Sequence, residues 1–172
     1  MTGKFILASA SQIRSQLLSQ AGLEHTVQPA RIDEETIRDA LVAEAANPRD
    51  IADTLAEMKA RKISEKQPDA LVLGCDQVLD HQGRLLSKPA TSAEAMQQLK
   101  DMRGGRHMLL SAAVVYENGK PLWRHVGQVR LHMRDASDGY LEGYVDRNWH
   151  SIQHAVGAYK LEEEGVRLFT RI

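Results

Sequence analysis

Cysteine is almost absent from this chain. Cys75 is the only one, so no internal disulfide can form and a cysteine-rich zinc site is excluded. A surplus of one charge is also missing: 22 Lys+Arg against 23 Asp+Glu leave a net charge of -1. Non-specific nucleic-acid binding needs a basic surplus or stripe, so no nucleic-acid partner is expected. A local basic patch that holds a phosphorylated small molecule stays open. No apolar run approaches a membrane span, and the first, Phe5–Ala8, is too short for a signal segment. No membrane partner is expected, and the expected location is cytoplasmic. Internal repeats, low-complexity tracts and linkers are lacking too.

What is present is ordinary for a folded domain. The 172 residues, 42% hydrophobic and 26% charged, suffice for one domain with a real core. Strands and helices alternate along the chain. Phe5–Ala8 reads as a buried strand and Gln12–Ala21 as a helix whose Ile13, Leu17, Leu18 and Ala21 share a face, ended by Gly22. A short strand near His25–Gln28 precedes Pro29 and the acidic turn Asp33-Glu34-Glu35. Helices are expected over Thr36–Ala46 and Pro48–Lys66, the second with proline in its first turn.

Ala70–Leu79 is the most strand-like run, followed by the hairpin turn His81-Gln82-Gly83-Arg84. A helix at Ser92–Met102, punctuated by Gly104-Gly105, leads to long strands at Met108–Tyr116 and Leu122–Met133. The turn Glu117-Asn118-Gly119-Lys120 joins those two. A helix at Ser137–Val145 and a last strand near Val166–Thr170 complete an α/β domain with an antiparallel component.

Several residues stand out chemically. The segment Ser9-Ala10-Ser11-Gln12-Ile13-Arg14 places hydroxyls and a guanidinium at a helix start, where free backbone N–H groups suit phosphate. Small residues there also simply cap helices. Asp76 sits in a run too apolar to face solvent, which favours a functional carboxylate over a water-facing strand end. Asp33, Glu34, Glu35 and Asp39 complement the dipole of the following helix, and any of them could do only that. Lys59 is bracketed by Leu55 and Met58, whereas Lys62, Lys66 and Lys100 read as ordinary exposed lysines. Lys88 precedes Pro89, so its backbone is biased to an extended form. His107, His125, His132, His150 and His154 form no convincing metal set; His150 and His154 would share a helix face but have no third ligand.

Four segments in this order resemble the Maf family of nucleoside triphosphate pyrophosphatases. They are Phe5–Leu18, Leu55-Ala56-Glu57-Met58-Lys59-Ala60, Val72-Leu73-Gly74-Cys75-Asp76-Gln77-Val78-Leu79 and Leu86-Ser87-Lys88-Pro89, and the likeness runs from about residue 4 onward. The resemblance implies a central twisted mixed sheet flanked by helices, like that of inosine triphosphate pyrophosphatases, in an elongated two-lobed form with a nucleotide cleft. It implies hydrolysis between the α and β phosphates, giving a nucleoside monophosphate and pyrophosphate. Ser9, Ser11, Arg14, Lys59 and Lys88 would hold the triphosphate. Asp76 would be the general base and, with Glu34, would hold Mg2+ or Mn2+, hard cations that prefer oxygen ligands. A house-cleaning role against modified nucleotides and a homodimer are also implied. So is an alternative, a non-catalytic nucleotide-binding regulator of cell division.

Three positions face the base by the same resemblance: Ile13, Gln77 and Glu162. Gln77 and Glu162 look like the branch acting on 7-methyl-GTP. A carboxylate can accept both N1–H and the N2 amine of guanine, which uracil and thymine do not offer together. Glu162 is also one of three successive acids, Glu162-Glu163-Glu164, that could all be solvated. Ile13 departs from that branch, which usually has tryptophan there to face a cationic purine. The family pattern continues past Leu168-Phe169-Thr170-Arg171-Ile172 with a G-D-Y motif, a turn and a closing helix, so residues 1–172 are expected to be a single domain lacking that segment.

Overall fold

The apolar run at the centre of the chain forms strand β3, Ala70–His81, whose residues alternate between buried and half-buried from Ala70 to Asp76 as a two-faced strand requires. The structure is a computed structural model that describes residues 3–172. Ahead of β3 lie β1 (Lys4–Leu7), α1 (Gln12–Gln20), β2 (Thr26–Val27), α2 (Glu34–Ala43) and α3 (Pro48–Ser64). After it come β4 (Arg84–Leu86), α4 (Ser92–Met102), β5 (Arg106–Glu117), β6 (Lys120–Met133), α5 (Asp138–Ile152) and β7 (Phe169–Arg171), with short 3-10 turns at Val156–Ala158 and Glu164–Leu168. The strands form one mixed sheet in the order β2-β1-β3-β5-β6-β7, with β4 paired to β3. This is the expected α/β class. Among the described residues no helix is long and apolar enough to cross a membrane.

The chain divides into two compact units. The first holds the residues up to Asp76 together with Ser111–Gly127; the second holds Gln77–Leu110 and Gln128–Ile172. In the first, β1 runs parallel to both β2 and β3, with Ile6 opposite Thr26 and Val72. α3 lies against this sheet because Ile51, Ala52, Leu55, Ala56, Lys59, Ala60 and Ile63 recur at helical spacing and are all buried. Asn47 caps it by accepting from Asp50 N at 2.9 Å. Ile6, Ala8, Ile63, Ala70 and Val72 form a continuous apolar cluster there, each large side chain contributing roughly 1.5–3 kcal/mol on burial.

In the second unit the cluster centres on Leu79, Leu99, Met102, Leu131, Leu141, Tyr144, Ile152 and Leu168. Two elements there differ from expectation. α5 continues well beyond Val145 to Ile152, because Ile152 falls on the buried stripe of Leu141, Tyr144 and Val145 and packing outweighs the polar run between them. The final strand begins only at Phe169; Glu164–Leu168 is a 3-10 turn that buries Gly165 and Leu168. α1 is also a correction. It buries none of its residues, and Leu17 is 57% exposed, so the shared face read from the sequence is not a core face.

Candidate active site

β1 delivers the chain to Ser9, whose Oγ organises the entry into α1. It accepts from Ser11 N at 3.2 Å and from Arg14 Nη1 at 3.1 Å. Ser11 is the N-cap of α1 in an extended conformation, and its hydroxyl makes no capping bond. The first turn of α1 therefore offers N–H groups that no side chain satisfies, beside a guanidinium. Arg14 Nη1 also donates to the Cys75 carbonyl at 2.9 Å, which ties this turn to β3.

Gly74 brings α3 close to β3. A Cβ there would stand 2.1 Å from Ala56 O and 2.6 Å from Ala60 N, both backbone atoms of α3. Only glycine permits that approach. The approach sets Lys59 over Cys75 and Asp76 of β3: its Nζ lies 2.8 Å from Asp76 Oδ1, 3.0 Å from Glu34 Oε1 and 3.4 Å from Cys75 O. Burial pushes the Asp76 carboxyl above the usual range, the Lys59 charge and hydrogen bond act against that rise, and Glu34 adds to it. Its second oxygen, Oδ2, is buried without a partner among the described residues. Burial likewise pushes the Cys75 thiol up, so it is a poor nucleophile.

The acidic turn divides its work. Asp33 caps α2, accepting from Thr36 N at 3.1 Å and Thr36 Oγ1 at 2.9 Å, and those bonds hold its carboxyl below the usual range. Glu34, the next residue, reaches Lys59 instead. Glu35 and Asp39 are exposed. Ser9, Ser11, Arg14, Glu34, Lys59 and Asp76 are thus brought together within the first unit.

The family model described as Maf-like protein matches residues 4–172. The chain belongs to the Maf family. The nucleoside triphosphate pyrophosphatase of Roseobacter denitrificans is 68% identical over 172 residues, covering 100% of this Maf chain and 86% of that protein. The 7-methyl-GTP pyrophosphatase of Brucella abortus biovar 1 is 42% identical over 172 residues, with the same 100% and 86% coverage. Among solved structures, a HAM1 protein from Coxiella burnetii aligns with a TM-score of 0.49 at 18% identity, over 78% of this chain and 75% of that one.

Ile13 is half-buried on α1. Lys88, Gln77 and Glu162 belong to the second unit and are exposed: Lys88 follows β4, Gln77 is on β3, and Glu162 lies between the two 3-10 turns. Among the described residues no group of three or more His, Cys, Asp or Glu is placed to hold a metal ion.

Two features escaped the sequence reading. The Cys75 carbonyl accepts from both Arg14 and Lys59, and a main-chain acceptor leaves no mark on a sequence. The close packing at Gly74 did leave one: Ala52, Ala56 and Ala60 repeat every fourth residue on the facing helix.

Proposed function

We infer that this chain is a nucleoside triphosphate pyrophosphatase, hydrolysing the bond between the α and β phosphates to release a nucleoside monophosphate and pyrophosphate. Relatives 68% identical over its whole length carry that name, and one 42% identical is named 7-methyl-GTP pyrophosphatase, which favours an enzyme over a non-catalytic regulator. The observation that carries the chemistry is the buried Asp76 carboxylate, with one oxygen on Lys59 and the other unpartnered.

Asp76 orients and deprotonates the attacking water through its unpartnered oxygen. The N–H groups opening α1, with Ser9, Ser11 and Arg14, hold the phosphate chain. Lys59 fixes the Asp76 carboxylate and offsets phosphate charge, and Lys88 is a further phosphate ligand in this reading. Asp76 and Glu34 are hard oxygen donors that already share one cation, Lys59, and such a pair suits a divalent ion. Mg2+ or Mn2+ held by this pair would offset charge on the phosphate oxygens. Among the described residues these two carboxylates are the proposed donors, so the other ligands would come from phosphate and water.

Gln77 and Glu162 are assigned to the base, with guanine nucleotides including 7-methyl-GTP as the proposed substrates. Ile13 has no aromatic face, so it contributes packing and no cation–π contact. The proposed setting is the cytoplasm, in keeping with a single cysteine, and the proposed use is removal of modified nucleotides. A homodimer is also proposed.

The test is pyrophosphate release from 7-methyl-GTP, GTP, UTP and TTP, each with magnesium, manganese or a chelator. Release that needs a divalent ion and is lost in Asp76→Asn supports the reading. Full turnover by Asp76→Asn at saturating metal would sink it.

A further inference from the structure

The run Glu162-Glu163-Glu164 supplies three carboxylates, and the fold uses two of them internally. Glu163 accepts from Ser151 Oγ at 2.7 and 2.9 Å and lies 3.4 Å from Lys160 Nζ, which itself donates to Ser151 Oγ at 2.7 Å. Glu164 accepts from Arg147 Nη2 at 2.7 Å and Nε at 3.4 Å, and from Asn148 Nδ2 at 2.8 Å. Ser151, Arg147 and Asn148 all stand on the last turns of α5. Glu162, between Lys160 and these anchors, is exposed and makes no hydrogen bond or ion pair among the described residues.

The backbone closes the same loop. A Cβ on Gly165 would stand 2.5 Å from Lys160 O and 2.8 Å from Lys160 N, so the chain doubles back between these residues with room only for glycine. Upstream, Tyr159 is buried with its hydroxyl 2.8 Å from His107 Nε2 and its ring against Phe169. Downstream, Leu168 is buried in the core cluster. The segment is fastened at both ends and in the middle, with one carboxylate left to the solvent. Arg147, and then Asn148, hold the Glu164 carboxyl down to about 2, so its part of the clamp stays ionised at neutral pH.

We propose that Glu163 and Glu164 are positioning residues for base selection, fastening residues 160–165 to α5 so that Glu162 is presented in one place to the Watson–Crick edge of guanine. This rests on the assignment of Glu162 to the base. A carboxylate accepting N1–H and the N2 amine must be held at a fixed height and tilt. In the same position it would meet a carbonyl oxygen of uracil, which repels it. On a loose loop both effects would average away, and selection with them.

The test compares binding of the uncleavable α,β-methylene analogues of GTP and UTP by calorimetry, alongside kcat and KM for GTP and UTP. Glu164→Gln is expected to lower the guanine-over-uracil affinity ratio roughly tenfold, through KM rather than kcat. Arg147→Met should do the same and Arg147→Lys should recover part of the ratio. Glu162→Gln should match Glu164→Gln, and the double variant should be no worse than either alone, because one acts through the other. Arg147→Lys also serves if Glu164→Gln does not fold. Equal weakening of both analogues by Glu164→Gln would reduce Glu164 to a structural tie and overturn the proposal. An unchanged ratio in Glu162→Gln would overturn the base assignment and the proposal with it. Failure to release pyrophosphate, with the ratio shifting as expected, would count against the hydrolase alone.

Discussion

Lys59 Nζ lies 2.8 Å from Asp76 Oδ1, and each side chain is only 7% exposed. Removing one member of a buried pair leaves the other charge uncompensated, at a cost of roughly 3–5 kcal/mol. The two members are not equivalent, however. Without the Asp76 charge, Lys59 keeps Glu34 at 3.0 Å and the Cys75 carbonyl at 3.4 Å. Without Lys59, Asp76 loses the donor to Oδ1, keeps Oδ2 buried and unpartnered, and faces Glu34 besides. Lys59→Met is therefore expected to lose about 3 kcal/mol of stability along with activity. Asp76→Asn, which still offers Lys59 an amide oxygen, should lose activity with a smaller drop in Tm. Thermal melts beside pyrophosphate release check this, and an Asp76→Asn that melts below Lys59→Met would contradict it.

Gly74 is the packing counterpart of that pair. The atoms a Cβ would strike, Ala56 O and Ala60 N, are backbone and cannot rotate aside. Gly74→Ala must push α3 off β3 and move Lys59 with it, so both stability and activity fall, the former by about 3 kcal/mol. Gly139 on α5 is the control, since a Cβ there meets nothing within 4 Å. Gly139→Ala should stabilise by about 0.5 kcal/mol through helix propensity alone. Urea titrations of the two variants are expected to shift the midpoint in opposite directions.

The order of strands and helices was legible in the sequence because each element carries a clean period: α3 buries every third or fourth residue and β3 every second. Asp76 stood out as a charge inside an apolar run, and the structure buries it. The length of α5 was hidden, because Asp146-Arg147-Asn148 reads as a helix end until Ile152 finds the core. The division of labour between Asp33 and Glu34 was hidden as well. Adjacent acids look alike in a sequence and differ only in which neighbour the turn aims them at.

Another connection invisible in the sequence clamps α3 to the β5–β6 hairpin. Tyr116 Oη donates to Glu57 Oε1 at 2.5 Å, and Arg124 spans Glu57 at 3.0 Å and Asp53 at 2.7 Å. Burial and the Glu57 carboxylate push the Tyr116 hydroxyl up to about 12, while the hydrogen bond from Tyr116 draws Glu57 below the usual range. Tyr116→Phe should cost about 1 kcal/mol, and Glu57→Met, which removes the acceptor and the Arg124 partner together, at least as much. Because they share one bond, the double variant should cost less than the sum. Strict additivity in urea titrations would show that the bond contributes nothing.

His107 supplies the acid limit of the fold. It is 2% exposed, with Nε2 on Tyr159 Oη at 2.8 Å and Nδ1 buried without a partner among the described residues. Burial, and then the charge of His81, lower its pKa to about 4 from the ordinary 6.5. The folded state therefore keeps His107 neutral where the unfolded chain already binds a proton. Its contribution is complete above about pH 6.5, declines as the pH falls towards about 4, and is then fully lost. The shift corresponds to about 3 kcal/mol. His107→Gln, which keeps a polar group for Tyr159 but cannot titrate, should be less stable than the parent at pH 7.5. It should also lose less between pH 7 and 4.5. Parallel urea titrations at these pH values decide the matter, and equal acid slopes for parent and variant would assign the loss to other groups.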